Sequence, residues 1–137
     1  MLIASENPRI SDLVKYEQAP EHGFCREEVV FDVSVGPFDV TTGAVDFKIG
    51  TVLAIMPDTG YYVLRDPAGT DGSEVAAAIL LENVSVASPY TKVTAAVNGA
   101  MIVREAALQF PNAHTPAQIA TTVAELAAVG IKTRTGI

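Results

Sequence analysis

The residues best suited to chemistry are few. His22 and Cys25 stand three apart in the run EHGFC. A thiol beside an imidazole can form a nucleophilic pair, and both side chains can ligate a metal. Two donors do not close a metal site, so a small apolar thiol beside a solvated histidine is the plainer expectation. Asp66, Asp71 and Glu74 cluster in DPAGTDGSE. Grouped carboxylates suit calcium, but the spacing is not that of an EF-hand loop. In Gly- and Pro-rich runs, Asp side chains commonly hydrogen-bond their own backbone instead. His114, ahead of a helical pattern, is expected in a solvated loop. The sequence has no phosphate loop, dinucleotide-binding glycine pattern, zinc-protease helix or serine nucleophile elbow. These residues call for no metal and no cofactor, and no catalytic residue is assigned. The competing expectation is a small β-domain enzyme or ligand-binding module using Cys25 or residues 66–74.

Composition narrows the class. At 137 residues the chain is long enough for one domain with a real core. Apolar residues make up 49%, which excludes disorder of the low-hydrophobicity kind. The longest apolar run, residues 75–81, is too short to cross a bilayer, so no membrane partner is expected. The opening MLIASENPR lacks the basic and apolar regions of a secretory signal. The lone Cys25 cannot form an internal disulfide. Sixteen acids against nine bases give a net charge of −7, with no basic stripe, and that excludes a nucleic-acid platform.

The patterning is mainly β, with an α+β character at the end. There are 17 Val, 9 Ile and 12 Thr against 8 Leu, and β-branched side chains fit pleated surfaces. Val29, Phe31, Val33 and Val35 alternate with Val30, Asp32 and Ser34, giving a half-buried strand that Gly36-Pro37 ends. Residues 40–47 form a second segment, interrupted at Gly43. Residues 51–56 and 61–65 read as a hairpin around Pro57-Asp58-Thr59-Gly60. Residues 75–86 read as one long, buried, central strand. Asn98-Gly99, between residues 92–97 and 100–103, reads as a two-residue hairpin turn. Thr115-Pro116-Ala117-Gln118 is a capping-box start with Pro at the first helical position. Ile119, Val123, Leu126 and Ala127 then line one helical face, Gly130 suits the C-terminal cap, and residues 131–135 make a last short strand.

Residues 1–28 differ from the rest. Ile10, Leu13, Val14 and Tyr16 make a weak amphipathic patch, with Ser11 as a candidate N-cap, between Pro8 and Pro20. The stretch is too short and too poorly periodic to fold alone. It reads as an extended N-terminal arm outside the core, followed by a β-rich domain at 29–137.

The order of motifs from about Lys48 onward resembles the bacteriophage head decoration protein D family. The matching residues are Gly50-Thr51-Val52-Leu53, Gly60-Tyr61, Asp66-Pro67-Ala68-Gly69, Asp71-Gly72 and Ala78-Ile79-Leu80. The similarity continues through residues 93–97 to Val97-Asn98-Gly99-Ala100 and Leu108-Gln109-Phe110-Pro111. Two positions depart from the pattern: Ala54 stands where relatives often have Gly, and Asn98 where they often have Arg. The resemblance implies a small β-clip-like, partly open barrel with one C-terminal helix. It also implies homotrimers on the outer surface of an expanded phage head, bound to the major capsid protein, with no catalysis. Such a protein is made in the cytoplasm of the bacterial host and ends in the virion. On that footing residues 1–28 are expected to be the capsid-binding arm, anchored by Pro8, Ile10, Leu13, Val14, Tyr16 and Pro20. The role of the bound trimers would be to hold the shell against the pressure of packaged DNA.

Overall fold

The computed structural model describes residues 8–34 and 43–135. The alternation of Val29, Phe31 and Val33 produces β2 (Arg26–Asp32) and buries all three side chains. Val35, the Gly36-Pro37 break and Val40 lie outside the described residues. β2 pairs antiparallel with β8 (Tyr90–Ala96) along its whole length, from Arg26 opposite Ala96 to Asp32 opposite Tyr90. The expected hairpin is present as β4 (Val52–Ile55) and β5 (Tyr62–Leu64). Gly60 turns it at φ 74°, where a side chain is disfavoured, and its N–H donates to the Met56 carbonyl at 2.8 Å. β6 (Ala76–Leu80) pairs antiparallel with both β4 and β8.

The order β2-β5-β4-β6-β8 closes on itself. The barrel expected to be partly open is therefore closed. Its seam is slight: β2 and β5 run parallel and join through the Phe31–Tyr62 pair. Around β4 and β6 the barrel wall is buried on both faces. Leu53, Leu80 and Ala95 belong to an inner cluster with Phe31, Val93 and Phe47. Their neighbours Val52, Ile79 and Ala96 belong to an outer cluster with Leu13, Met101, Val103, Leu126 and Ile131. A strand with no solvated face carries no polar alternation, which is why residues 76–80 read as an unbroken apolar run.

That run does not continue to Val86 as one strand. β7 (Val84–Val86) leaves the barrel and pairs with β3 (Val45–Phe47) in a separate two-stranded sheet. Polar side chains at the break replace the ladder: Glu82 Oε2 accepts the Thr94 N–H at 2.6 Å, and Asn83 Oδ1 accepts the Ile49 N–H at 3.0 Å. The small sheet delivers Phe47 to the inner cluster, edge-on to Phe31 with centroids 5.0 Å apart.

A third sheet packs outside the barrel. Its central strand, β9 (Met101–Arg104), pairs antiparallel with β1 (Val14–Glu17) and parallel with β10 (Ile131–Arg134). The β9-to-β10 connection passes through α2 (Pro116–Ala128). Both halves of the capping box form: Thr115 Oγ1 accepts the Gln118 N–H at 3.2 Å, and Gln118 Oε1 accepts the Thr115 N–H at 2.8 Å. The buried stripe is rotated from the expected one. Thr122 and Leu126 are buried and Ala127 is exposed. The rotation brings Glu125 over the barrel, where its Oε1 accepts from Arg65 Nε and Nη2 (both 3.2 Å) and from the Ala76 N–H (3.0 Å).

Asn98-Gly99 is not a hairpin turn. β8 and β9 belong to different sheets, and among the described residues no residue other than Gly has a positive φ. A type I′ turn needs positive φ at both central residues, and Asn98 does not supply it. The pair is instead a crossover from barrel to outer sheet. Gly99, at φ 87°, lies against Cys25 Sγ, and Gly130, at φ 92°, lies directly against the Gly99 backbone. A Cβ on Gly130 would run into the Gly99 carbonyl oxygen.

Candidate functional site

The stretch expected to be an arm is partly built into this body. Arg9 caps the single helical turn α1 (Ile10–Leu13); Ser11, the expected cap, sits within it. The Arg9 N–H donates to Asp12 Oδ2 at 2.8 Å, and the Asp12 N–H returns to the Arg9 carbonyl at 2.9 Å. Leu13 is 1% exposed and belongs to the outer core cluster, with Ile10 and Val14 packed against it. The chain then runs into β1, on the edge of the outer sheet, with a register shift between Val14 and Tyr16. Pro8 is half-buried, and its carbonyl accepts from Asn83 Nδ2 at 2.8 Å. Pro20 is exposed and starts a short 3-10 turn, Pro20–His22.

Beyond β1 the chain is tied to β9 by Gln18. Its N–H donates to the Ala100 carbonyl (2.9 Å), its Oε1 accepts the Ala100 N–H (3.2 Å), and its Nε2 donates to the Gly23 carbonyl (2.8 Å). Glu17 and Arg26 form a two-pronged pair, with Nη2 2.6 Å from Oε1 and Nε 2.9 Å from Oε2. That hydrogen bonding raises the Arg26 pKa despite partial burial. Two aromatic rings remain in solvent here: Tyr16 is 53% exposed and Phe24 is 73% exposed. Phe24 was not singled out by the sequence. It stands alone between Gly23 and Cys25, so no periodic pattern marks it.

The residues with chemical potential are occupied structurally. Cys25 is buried, its Sγ 3.9 Å from the Ala100 carbonyl oxygen, where it packs as a small apolar group. In the acidic loop each carboxylate serves the backbone. Asp66 Oδ1 accepts the Ala68 N–H (3.0 Å), and Glu74 Oε2 accepts the Gly72 N–H (2.8 Å). Asp71 Oδ1 accepts both the Ser73 N–H (3.1 Å) and its hydroxyl (2.6 Å). The Ser73 hydroxyl, then its N–H, lowers the Asp71 pKa and keeps that side chain ionised. No group of three or more His, Cys, Asp or Glu residues is placed to hold a metal among the described residues. His114 is half-buried rather than solvated. Its ring tilts over Phe110 with centroids 4.6 Å apart, and Nδ1 lies 2.6 Å from the Asn112 carbonyl oxygen. Among the described residues no helix is long and apolar enough to cross a membrane.

The surface is therefore richer in exposed apolar side chains than in reactive groups. Besides Tyr16 and Phe24, the exposed large apolar residues among those described are Ile55, Tyr61, Val75 and Tyr90. Of these, Tyr61 and Tyr90 meet edge-on with centroids 5.6 Å apart, and contiguous apolar surface of this kind suits contact with another molecule. A family model described as bacteriophage lambda head decoration protein D matches residues 3–131. No curated protein matches the chain.

Proposed function

The chain belongs to the bacteriophage lambda head decoration protein D family, and from that premise we propose that it cements the phage head from outside. Membership makes it a structural phage protein of the virion capsid. The finer reading is ours. The protein binds the major capsid protein on the outer surface of the expanded shell, as homotrimers, and stabilises it against internal DNA pressure. It is synthesised in the host cytoplasm and touches no nucleic acid. The observation that carries the reading is the match of one head-decoration model across nearly the whole chain. A surface of −7 net charge is consistent with it, since charge of that sign does not attract DNA.

Stabilisation follows from linkage. A protein that binds the expanded lattice and not the compact precursor shifts the balance towards the expanded state. The shell contact falls to the N-terminal side of the molecule. Of the six anchors, Leu13 already fills the molecule's own core, and Ile10 and Val14 lean on it. The contact is thus made by the chain ahead of Ile10, Pro8 included, together with exposed Tyr16, Pro20 and Phe24. An extended segment can add a strand to a sheet edge on the shell, with backbone bonds giving affinity and alternate side chains giving specificity. Several such arms in one oligomer act together through effective concentration.

Co-sedimentation with undecorated expanded heads and with unexpanded procapsids tests the reading. Saturable binding to expanded heads alone is expected, and binding to neither overturns it. Removal of residues 1–7 should abolish or sharply weaken binding, with circular dichroism confirming that the shortened chain is folded. Retained affinity would assign the contact elsewhere.

A further inference from the structure

Two surfaces of this molecule carry unlike charge. At the barrel end where β2 stops and β5 and β8 begin, Ile55, Tyr61, Val75 and Tyr90 are exposed. Tyr61 and Tyr90 meet edge-on, centroids 5.6 Å apart. Asp58 lies in the turn between β4 and β5. Asp66, Asp71 and Glu74 lie in the adjoining loop, whose Gly72 sits against Pro57. None of these four carboxylates is ion-paired with a described residue. Of the nearest cations, Arg65 is buried against Glu125 and Lys92 lies two residues along β8. This end is aromatic and acidic.

The outer face of the third sheet is the opposite. Met101 and Val103 point into the core, so Ile102 and Arg104 face away from it. Register sets Lys132 beside Ile102 and Arg134 beside Arg104. Lys132 and Arg134 are exposed, and none of the three cations is ion-paired with a described residue. This face is apolar at Ile102 and basic around it.

The two surfaces lie at opposite ends of β8. That strand starts at Tyr90, at the acidic end, and finishes at Ala96, before the Gly99 crossover into β9. Seven residues of strand span about 20 Å, so one chain cannot bring its own two surfaces together. We propose that a second copy of this chain does so: the acidic, aromatic barrel end of one protomer docks on the basic β9–β10 face of the next. A contact between unlike surfaces is heterologous, and repeating it closes a ring when the rotation permits. The alternative of like against like sets carboxylates against carboxylates, which repels. β1 flanks β9 on the side away from β10, and its Tyr16 lies opposite Ile102 at the margin of this face. The inference rests on the homotrimer reading above and names its interface.

Charge reversal on the full chain tests it. Association is read by sedimentation in solution at about 50 and about 500 mM salt, and by cross-linking on purified expanded heads. Lys132→Glu with Arg134→Glu should weaken association roughly tenfold or more, as should Asp58→Lys with Asp66→Lys. All four changes together set the new lysines against the new glutamates and should recover part of the loss, which a folding defect would not do. Circular dichroism confirms that each variant is folded. High salt should weaken the wild-type contact. Reversals without effect, no recovery in the fourfold variant, or a wild type monomeric both in solution and on heads would overturn the interface. A Tyr90→Ser change that leaves association intact would also count against it. Failure of every variant and of the wild type to bind heads would instead remove the decoration reading, while the solution measurement still judges the interface.

Discussion

The β4–β5 hairpin of the closed barrel and the outer three-stranded sheet are assembled in opposite ways. β4 and β5 are joined by one turn, whereas β6 follows the loop 65–75 and β2 and β8 pair from residues 26–32 and 90–96. The outer sheet gathers β1, β9 and β10 from residues 14–17, 101–104 and 131–134. Nothing local holds such a sheet in place. It depends on a backbone-to-backbone contact between Gly99 and Gly130, on Leu13 and Ile131 in a shared core, and on Gln18 bridging to Ala100. The difference shows that local turn chemistry suffices for the barrel hairpin, while the outer sheet needs particular small residues at particular crossings.

Substitutions can break or sharpen this contrast. The largest effect is expected at Gly130. Ala there meets the Gly99 carbonyl and must hold φ near 92°, so it should cost about 3–4 kcal/mol in urea unfolding. Gly60→Ala, in the barrel hairpin, meets nothing within 4 Å and should cost about 1–2 kcal/mol from backbone strain alone. Equal losses at the two glycines would remove the contrast. Because Val52, Ile79 and Ala96 of the barrel share a core with the outer sheet, Gly130→Ala should shift one cooperative transition and not split it into two.

Glu125→Ala comes next. It leaves the buried Arg65 guanidinium and the Ala76 N–H without their acceptor, for a loss of about 3 kcal/mol. Glu125→Gln keeps an acceptor and should recover part of that loss. Thr115→Ala should cost about 1 kcal/mol, seen as a lower melting temperature, because only the helix cap is lost. The smallest effect is one of pH. Burial, and then the Glu27 carboxylate, raise the Tyr62 pKa above its ordinary 10.0. The folded state therefore holds that proton longer than the unfolded chain. The stabilisation is complete below pH 10 and is lost as pH rises through the raised value. Tyr62→Phe should flatten the alkaline limb of stability against pH. An unchanged limb would assign it to other groups.

The elements with self-contained chemistry were legible in the sequence. Thr115 and Gln118 satisfy each other's backbone, and Pro57 to Gly60 sets its own dihedrals, so neither needs distant partners. Asn98-Gly99 misleads because its local preference for a hairpin is overruled by tertiary packing on Cys25 and Gly130. Residues 75–86 mislead because apolar continuity reports burial, and burial persists where the chain passes from one sheet to another. The true buried face of α2 includes Thr122 and Glu125, polar side chains whose place depends on Arg65, sixty residues away from Glu125. Closure of the barrel rests on one parallel pair, Phe31 and Tyr62, which no local pattern encodes. At the candidate site, Tyr16 belonged to a visible patch and proved exposed, but Leu13 in the same patch proved to be core.

The direction of the strands around β9 also has a mechanical meaning. β1 is antiparallel to β9 and β10 is parallel to it, so Val14 lies opposite Val103 and Arg134 opposite Arg104. The points where the chain enters and leaves the sheet are therefore at the same end of β9, on its two sides, about 10 Å apart. A pull between them runs across the strands. It would unzip backbone hydrogen bonds one after another and would not load them together in shear. A tether that carries force through both ends of this chain would thus yield early, whereas force delivered through the barrel wall would be shared by a closed ring of ladders.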